Sequence, residues 1–222
     1  MRRLLVLVAA LGLLTGTSAC GKSESTVPPE KRLAAAQKLL DETSGLKINL
    51  HTDKLPEGIN GLLEAKGIGT KAPAFQGDIR AVLNGLPAGV PVIAVDNKVY
   101  INLGKWKAID PTDFGAPDPA KLFGTSGGLS GLFTQVSDAK AGKQTRRGEH
   151  VYSTITGKIP GSAVKALVPQ ATEKDFDATF LIDDRDQVWQ VVLTGPFYPK
   201  VDDVTYTIDL SDYGTTATIT AP

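Results

Sequence analysis

The feature that most constrains this chain is an apolar/polar alternation of period two that returns repeatedly between short polar turns. Leu46, Ile48 and Leu50 alternate with Lys47, Asn49 and His51. Phe75, Gly77, Ile79, Ala81 and Leu83 alternate with Gln76, Asp78, Arg80 and Val82. The same pattern runs through Val151, Ser153 and Ile155, through Phe176, Ala178, Phe180 and Ile182, and through Val204, Tyr206, Ile208 and Leu210. Period two sends successive side chains to opposite faces of a strand, so each run has one wet face and one buried face. Residues 92–95 and 99–103 flank Asp96, Asn97 and Lys98, a hairpin turn signal, and Asp183, Asp184, Arg185 and Asp186 make a polar turn into a strand over 187–194. Strands that follow one another through short turns form an antiparallel meander.

Few segments carry the helical period. Over residues 30–44, Leu33, Ala36, Leu39 and Leu40 share one face, Lys31, Gln37, Lys38 and Glu42 the other, and Gly45 stops the pattern. Residues 117–123 and 128–138 form a glycine-broken pair, and residues 160–168 end at Pro169. These short helices need an apolar surface to lie on, and the inner face of a curved sheet supplies one. The expected fold is therefore α+β, a single antiparallel curved sheet with helices packed on its concave face. No repeat of fixed period and no linker interrupts residues 30–222, which are expected to form one domain.

Of the 222 residues, 24 are basic and 24 acidic, a balance that argues against a chain built to neutralise nucleic-acid phosphates. One cysteine and two histidines leave little material for a disulfide framework, a Cys/His zinc site or an iron–sulfur cluster. No G-x-S-x-G nucleophile elbow is found, and neither His51 nor His150 has a visible serine partner. The expectation is a protein that is not an enzyme, with no cofactor and no metal. Asp183, Asp184 and Asp186 lack the glycine and distal glutamate of a calcium loop and read as a turn. Lys140, Lys143, Arg146 and Arg147 form a basic run that reads as a solvated face, with anionic headgroups as the alternative.

The start of the chain reads as a targeting segment. Arg2 and Arg3 precede eleven apolar residues over 4–14, far short of the ~20 needed to span a bilayer, and small residues then lead to Cys20. Residues 1–19 are expected to be a lipoprotein signal peptide, Cys20 the acylated residue, and residues 20–29 a flexible tether. Thr17 stands where the lipobox pattern prefers leucine. Removing residues 1–19 takes away Arg2 and Arg3, so the remaining charge is 22 − 24 = −2. The expected location is the outer, periplasmic face of the cell membrane, held by the lipid anchor.

Several stretches together carry a family resemblance. They are Gly77, Asp78 and Ile79 on a long strand, and residues 95–100 (VDNKVY) at a hairpin. Lys105 and Trp106 lead by a loop into Asp118, Pro119 and Ala120, and Gly128 and Leu129 lead to Asp138, Ala139 and Lys140. Residues 156–159 (TGKI) precede a short helix, and Asp212, Tyr213 and Gly214 close the chain. In order and spacing the chain resembles the LppX/LprA/LprF/LprG lipoproteins of mycobacteria and their relatives, over nearly its full mature length. The resemblance implies a half-barrel similar to the carriers LolA and LolB, with helices enclosing an apolar cavity. It implies multi-acyl lipids or glycolipids as ligands, such as phosphatidylinositol mannosides, lipoarabinomannan or its precursors, triacylglycerol or phthiocerol dimycocerosates, moved from the inner membrane toward the outer envelope. A major-facilitator transporter is an implied partner.

Such a task needs a dry space and no acid, base or nucleophile. Exposing one sixteen-carbon chain to water costs about 12 kcal/mol at ~0.8 kcal/mol per methylene, which an apolar cavity largely recovers. The sheet residues that could face the hollow are Ile79, Ala81, Leu83, Val99, Ile101, Val151, Ile155, Phe180 and Ile182. The helical residues that could form its lid are Leu122, Leu129, Leu132, Phe133, Val136, Val164 and Leu167. By the resemblance, Ile79 lies near the mouth. Alternation by itself is normally the signature of a solid core, and the alternative function is a structural or adhesive surface lipoprotein with such a core that binds a protein partner.

Overall fold

The structure, a computed structural model, describes residues 27–114, 116–125 and 127–222. The expected signal peptide, Cys20 and most of the expected tether lie outside the described residues. Helix α1 (Pro29–Glu42) opens with proline in its first turn, where a missing N–H costs nothing. It buries Leu33 and Ala36, the face read from the sequence.

Eleven strands follow, all antiparallel: β1 (Gly45–His51), β2 (Gly61–Thr70), β3 (Ala74–Leu83), β4 (Leu86–Val95), β5 (Lys98–Asn102), β6 (Trp106–Ile109), β7 (Ser137–Arg147), β8 (His150–Ile159), β9 (Phe176–Ile182), β10 (Val188–Gly195) and β11 (Val204–Ser211). They make one sheet in the order β6-β5-β4-β3-β2-β1-β11-β10-β9-β8-β7. The first half of the chain folds outward from β1 and the second half inward to β11. The two halves join through β1 and β11, with Ile48 opposite Leu210 and Leu50 opposite Ile208. The outermost strands β6 and β7 do not pair with each other, so the sheet stays open. A twisted sheet of this width curls, and its inner face is then covered by other elements.

Those elements are short. Three 3-10 helices (Pro111–Phe114, Pro119–Phe123 and Leu129–Gln135) lie between β6 and β7, and α2 (Gly161–Leu167) lies between β8 and β9. Asp118 caps the second of them by accepting a hydrogen bond from the Ala120 amide at 2.9 Å. The helical period expected over 128–138 is thus a 3-10 helix that stops at Gln135, after which the chain becomes β7.

The polar turn at 183–186 works as an anchor for α1. Arg32, buried on the helix, pairs with Asp186 at 2.9 Å and donates to the Asp183 carbonyl. The Asp183 carboxylate accepts from the Arg185 and Gln187 amides at 2.9 Å and from Trp189 Nε1 at 3.1 Å. A buried carboxylate with its oxygens satisfied in this way organises a turn rather than offering a ligand. The basic run lies along β7, an edge strand, where exposed charge discourages pairing with other chains.

Candidate functional site

The inner face of the sheet is filled unevenly. On the β8–β9 side large aromatic and branched residues meet. Phe133 from the third 3-10 helix packs edge-to-face on Phe180 with ring centroids 5.3 Å apart, and Ile155, Ile159, Phe176 and Ile182 are fully buried around them. On the β2–β3 side the inward positions are small: Gly61, Ala65, Gly67, Gly69, Gly77 and Ala81. The rings of Phe75 and Phe123 cover Gly67 and Gly69, but over Ala65 and Ala81 the space up to the covering helices is left open. Uneven side-chain volume therefore places the hollow.

The result is a cavity of about 180 Å³. Its floor is Leu50 of β1, Gly61, Leu62 and Ala65 of β2, and Ile79, Ala81 and Leu83 of β3. Leu193 of β10 and Tyr206 and Ile208 of β11 complete the floor, and Phe197 and Tyr198 wall the end. Its roof comes from Leu122, Leu129 and Leu132 of the 3-10 helices and from Val164 and Leu167 of α2, extended by Val168 and Gln170. Phe114, Ala116, Pro117 and Pro119 close the remaining side. Leu83 and Phe114 are 38% and 53% exposed while also lining the hollow, so the hollow reaches the molecular surface at these residues.

The two tyrosine hydroxyls in the wall are both satisfied. Tyr206 Oη donates to the Leu62 carbonyl at 2.7 Å, so in its 2.8 Å contact with Tyr198 it accepts, and Tyr198 donates. No hydroxyl proton is left over to hold water in the hollow. Burial pushes both phenols above the ordinary tyrosine value. Gly61 is required beneath this pair, because a Cβ there would lie 2.2 Å from the Tyr198 hydroxyl. At the closed end of the trough Phe123 lies flat on Gly69, where an added Cβ would come within 2.2 Å of the ring, and stacks on Phe75 at 6.3 Å.

Of the residues singled out from sequence, Ile79, Ala81, Leu83, Leu122, Leu129, Leu132, Val164 and Leu167 come together around the cavity. The structure places the others elsewhere. Phe133, Ile155, Phe180 and Ile182 belong to the solid core, and Val99 is buried with Ile101 packed partly beside it under β4 and β5. Val136 fills the space over Gly157, where a Cβ would meet it at 2.4 Å. Val151 is 39% exposed at the start of β8. For Ile155, Phe180 and Ile182 the reason is that parity assigns a face, but a face has both a packed and an empty region; at Val151 parity itself fails, because its neighbour Tyr152 takes the buried side. The strands at 188–195 and 204–211 carried a readable signal for Leu193, Tyr206 and Ile208. Gly61, Leu62 and Ala65 did not, since β2 lacks clean alternation and breaks register between Leu62 and Glu64.

The histidines stand apart from the hollow. His150 stacks on Trp189 at 5.7 Å and tilts against Tyr152 at 6.1 Å, and His51 Nδ1 lies 3.8 Å from Asp209. No helix among the described residues is long and apolar enough to cross a membrane.

Comparison with known proteins agrees with this architecture. Residues 28–219 match the family model described as LppX_LprAFG lipoprotein. The chain is 28% identical over 231 aligned positions to the lipoarabinomannan carrier protein LprG of Mycolicibacterium hassiacum, covering 97% of this chain and 94% of that protein. It is 25% identical to the protein of the same name from Mycobacterium bovis, over 76% of this chain and 74% of the relative. Among solved structures, LprF from Mycobacterium bovis superposes with a TM-score of 0.72 at 15% identity, covering 87% of this chain and 96% of that one. LppX from Mycobacterium tuberculosis gives 0.62 at 16% identity, covering 86% and 97%. With an open antiparallel sheet, a roof of short helices and a family match spanning nearly all described residues, the chain belongs to the LppX_LprAFG lipoprotein family.

Proposed function

We propose that this protein carries acylated lipid, holding hydrocarbon between the sheet and its helical roof. The observation that carries this reading is the cavity itself, an apolar hollow whose tyrosine hydroxyls are hydrogen-bonded and which reaches the surface at Leu83 and Phe114. Relatives named as lipoarabinomannan carriers support a glycolipid with more than one acyl chain as the cargo class. We further propose that Cys20 carries the lipid anchor, that the domain stands on the periplasmic face of the cell membrane, and that it moves cargo toward the outer envelope. A membrane transporter of the major-facilitator type is a fitting donor.

The size of the hollow shapes the mechanism. An apolar cavity of about 150 Å³ stays dry and admits a benzene-sized group, so about 180 Å³ takes a short alkyl segment with the roof closed. A whole acyl chain enters as the roof lifts. The roof suits this: 3-10 helices are short and poorly bonded, and the second and third are joined through Gly124, Gly127 and Gly128. Each methylene that enters contributes about 0.8 kcal/mol toward displacing it.

Native mass spectrometry of the chain purified from its own membranes tests the proposal. Co-purifying multi-acyl lipid is the expected result. A chain that stays empty and takes up no acyl lipid would identify a scaffold. Ile79→Trp places an indole into the hollow from its floor and is expected to abolish loading while leaving the circular dichroism spectrum and melting transition close to wild type.

A further inference from the structure

We propose that the tip of the β3–β4 hairpin is a bilayer-docking surface through which the cavity mouth is set against a lipid membrane. The argument begins with charge. From Ala81 to Val95 the chain has no charged residue, with Arg80 and Asp96 at its borders. A buried strand pair would explain that, yet Leu83 through Gly89 are all exposed. Beyond Pro91 toward the tip, β4 pairs with β3 alone, because β5 reaches only as far as Val92. The tip is thus an uncharged, water-facing finger.

Its leucines are held side by side. Asn84 and Gly85 both have positive φ, at 51° and 77°, the conformation of a tight two-residue hairpin turn, which sets Leu83 directly opposite Leu86. Leu86 is 72% exposed, and Leu83 and Phe114, both on the cavity wall, are 38% and 53% exposed. Apolar surface therefore runs without a break from outside the molecule into the hollow.

The occupant follows from the size and chemistry of this surface. A stable protein interface covers about 800 Å² per partner with a polar rim, whereas this one offers a few apolar side chains and no charge. A bilayer needs no more: leucine and phenylalanine side chains inserting at the headgroup boundary bind by buried apolar area. Docked there, an acyl chain passes from bilayer to cavity without crossing water. The proposal rests on the carrier reading for its purpose but is measurable without it.

The described residues share one core, so a chain starting at Gly21, without cysteine, suits co-sedimentation with phosphatidylcholine vesicles containing phosphatidylglycerol. Wild type is expected to bind in a manner that persists at high salt. Leu86→Asn is expected to weaken binding about tenfold, the effect of withdrawing one leucine side chain from the membrane. Leu103→Asn, which removes an equally exposed leucine at the β5–β6 turn outside the cavity wall, should leave it unchanged. Loading from detergent solution, read by native mass spectrometry, is measured in parallel and should be the same in Leu86→Asn as in wild type. No vesicle binding, equal loss in both variants, or binding that salt abolishes and Leu86→Asn leaves intact would each overturn the proposal, the last assigning docking to the basic face of β7. Vesicle binding by a chain that never loads lipid would overturn the carrier reading and leave the docking surface standing.

Discussion

At the scale of single residues, the cavity depends on polar atoms that cancel one another. Tyr206 and Tyr198 sit in an apolar wall, and their two protons are both spent, one on the other ring and one on the Leu62 carbonyl. Tyr206→Phe breaks this chain and leaves the carbonyl and the Tyr198 hydroxyl unpaired, so a loss of about 1–3 kcal/mol in urea unfolding at neutral pH is expected. The pH dependence has a definite sign. Burial raises the folded-state pKa of Tyr206, and that of Tyr213 as well, above the ordinary value of 10.0. The unfolded chain then loses its phenolic protons first. Stability is fully present below pH 10.0 and declines as pH rises beyond it. Tyr206→Phe, with one such proton fewer, should show a shallower alkaline decline in the same unfolding series.

At the scale of elements, the second 3-10 helix decides how far the hollow extends. Its Phe123 is wedged onto Gly69 and against Phe75, and beyond it lies a small pocket of about 20 Å³ that shares Leu122 and Leu129 with the main cavity. Phe123 fills the trough over Gly69 as a wall of the small pocket, and Leu122 beside it walls both spaces. Phe123→Ala is expected to join them and to shift bound lipid toward longer chains, read as the mass distribution of co-purified lipid. The loss of packing should cost about 3 kcal/mol at most, since the ring is only partly buried. Turn chemistry at this scale was legible in part. Asp96 and Asn97, at φ 53° and 57°, form the hairpin expected of them. Asn84 and Gly85 carry the same signal, but the exposed residues after them hide the start of β4 from any reading based on burial.

At the scale of the whole molecule, one sheet supports two interiors. The β8–β9 half is packed solid, and the β2–β3 half is hollow. Phe180, fully buried against Phe133, should cost about 3–5 kcal/mol when cut to alanine. Ile79→Ala should cost about 1 kcal/mol, because its side chain already borders empty space and gives up fewer contacts. Equilibrium unfolding of the two variants side by side checks this asymmetry. The chain also enters at Pro29 beside the β9–β10 turn, at the end of the sheet remote from Leu83 and Leu86.

The antiparallel sheet, the amphipathic α1 and the inward face of the cleanly alternating strands, though not of β2, are legible in the amino-acid sequence, because period and turn chemistry are local properties. The sequence also marked Ile79, Ala81 and Leu83 as inward. Only the tertiary structure decided that these border a void while Phe180 and Ile182, with the same parity, border other side chains. The difference lies in what stands across the sheet: Phe133 reaches down to Phe180, whereas the space over Ala65, Ile79 and Ala81 stays open. Whether space is filled depends on the summed volume of residues far apart in sequence, and no local pattern records that sum.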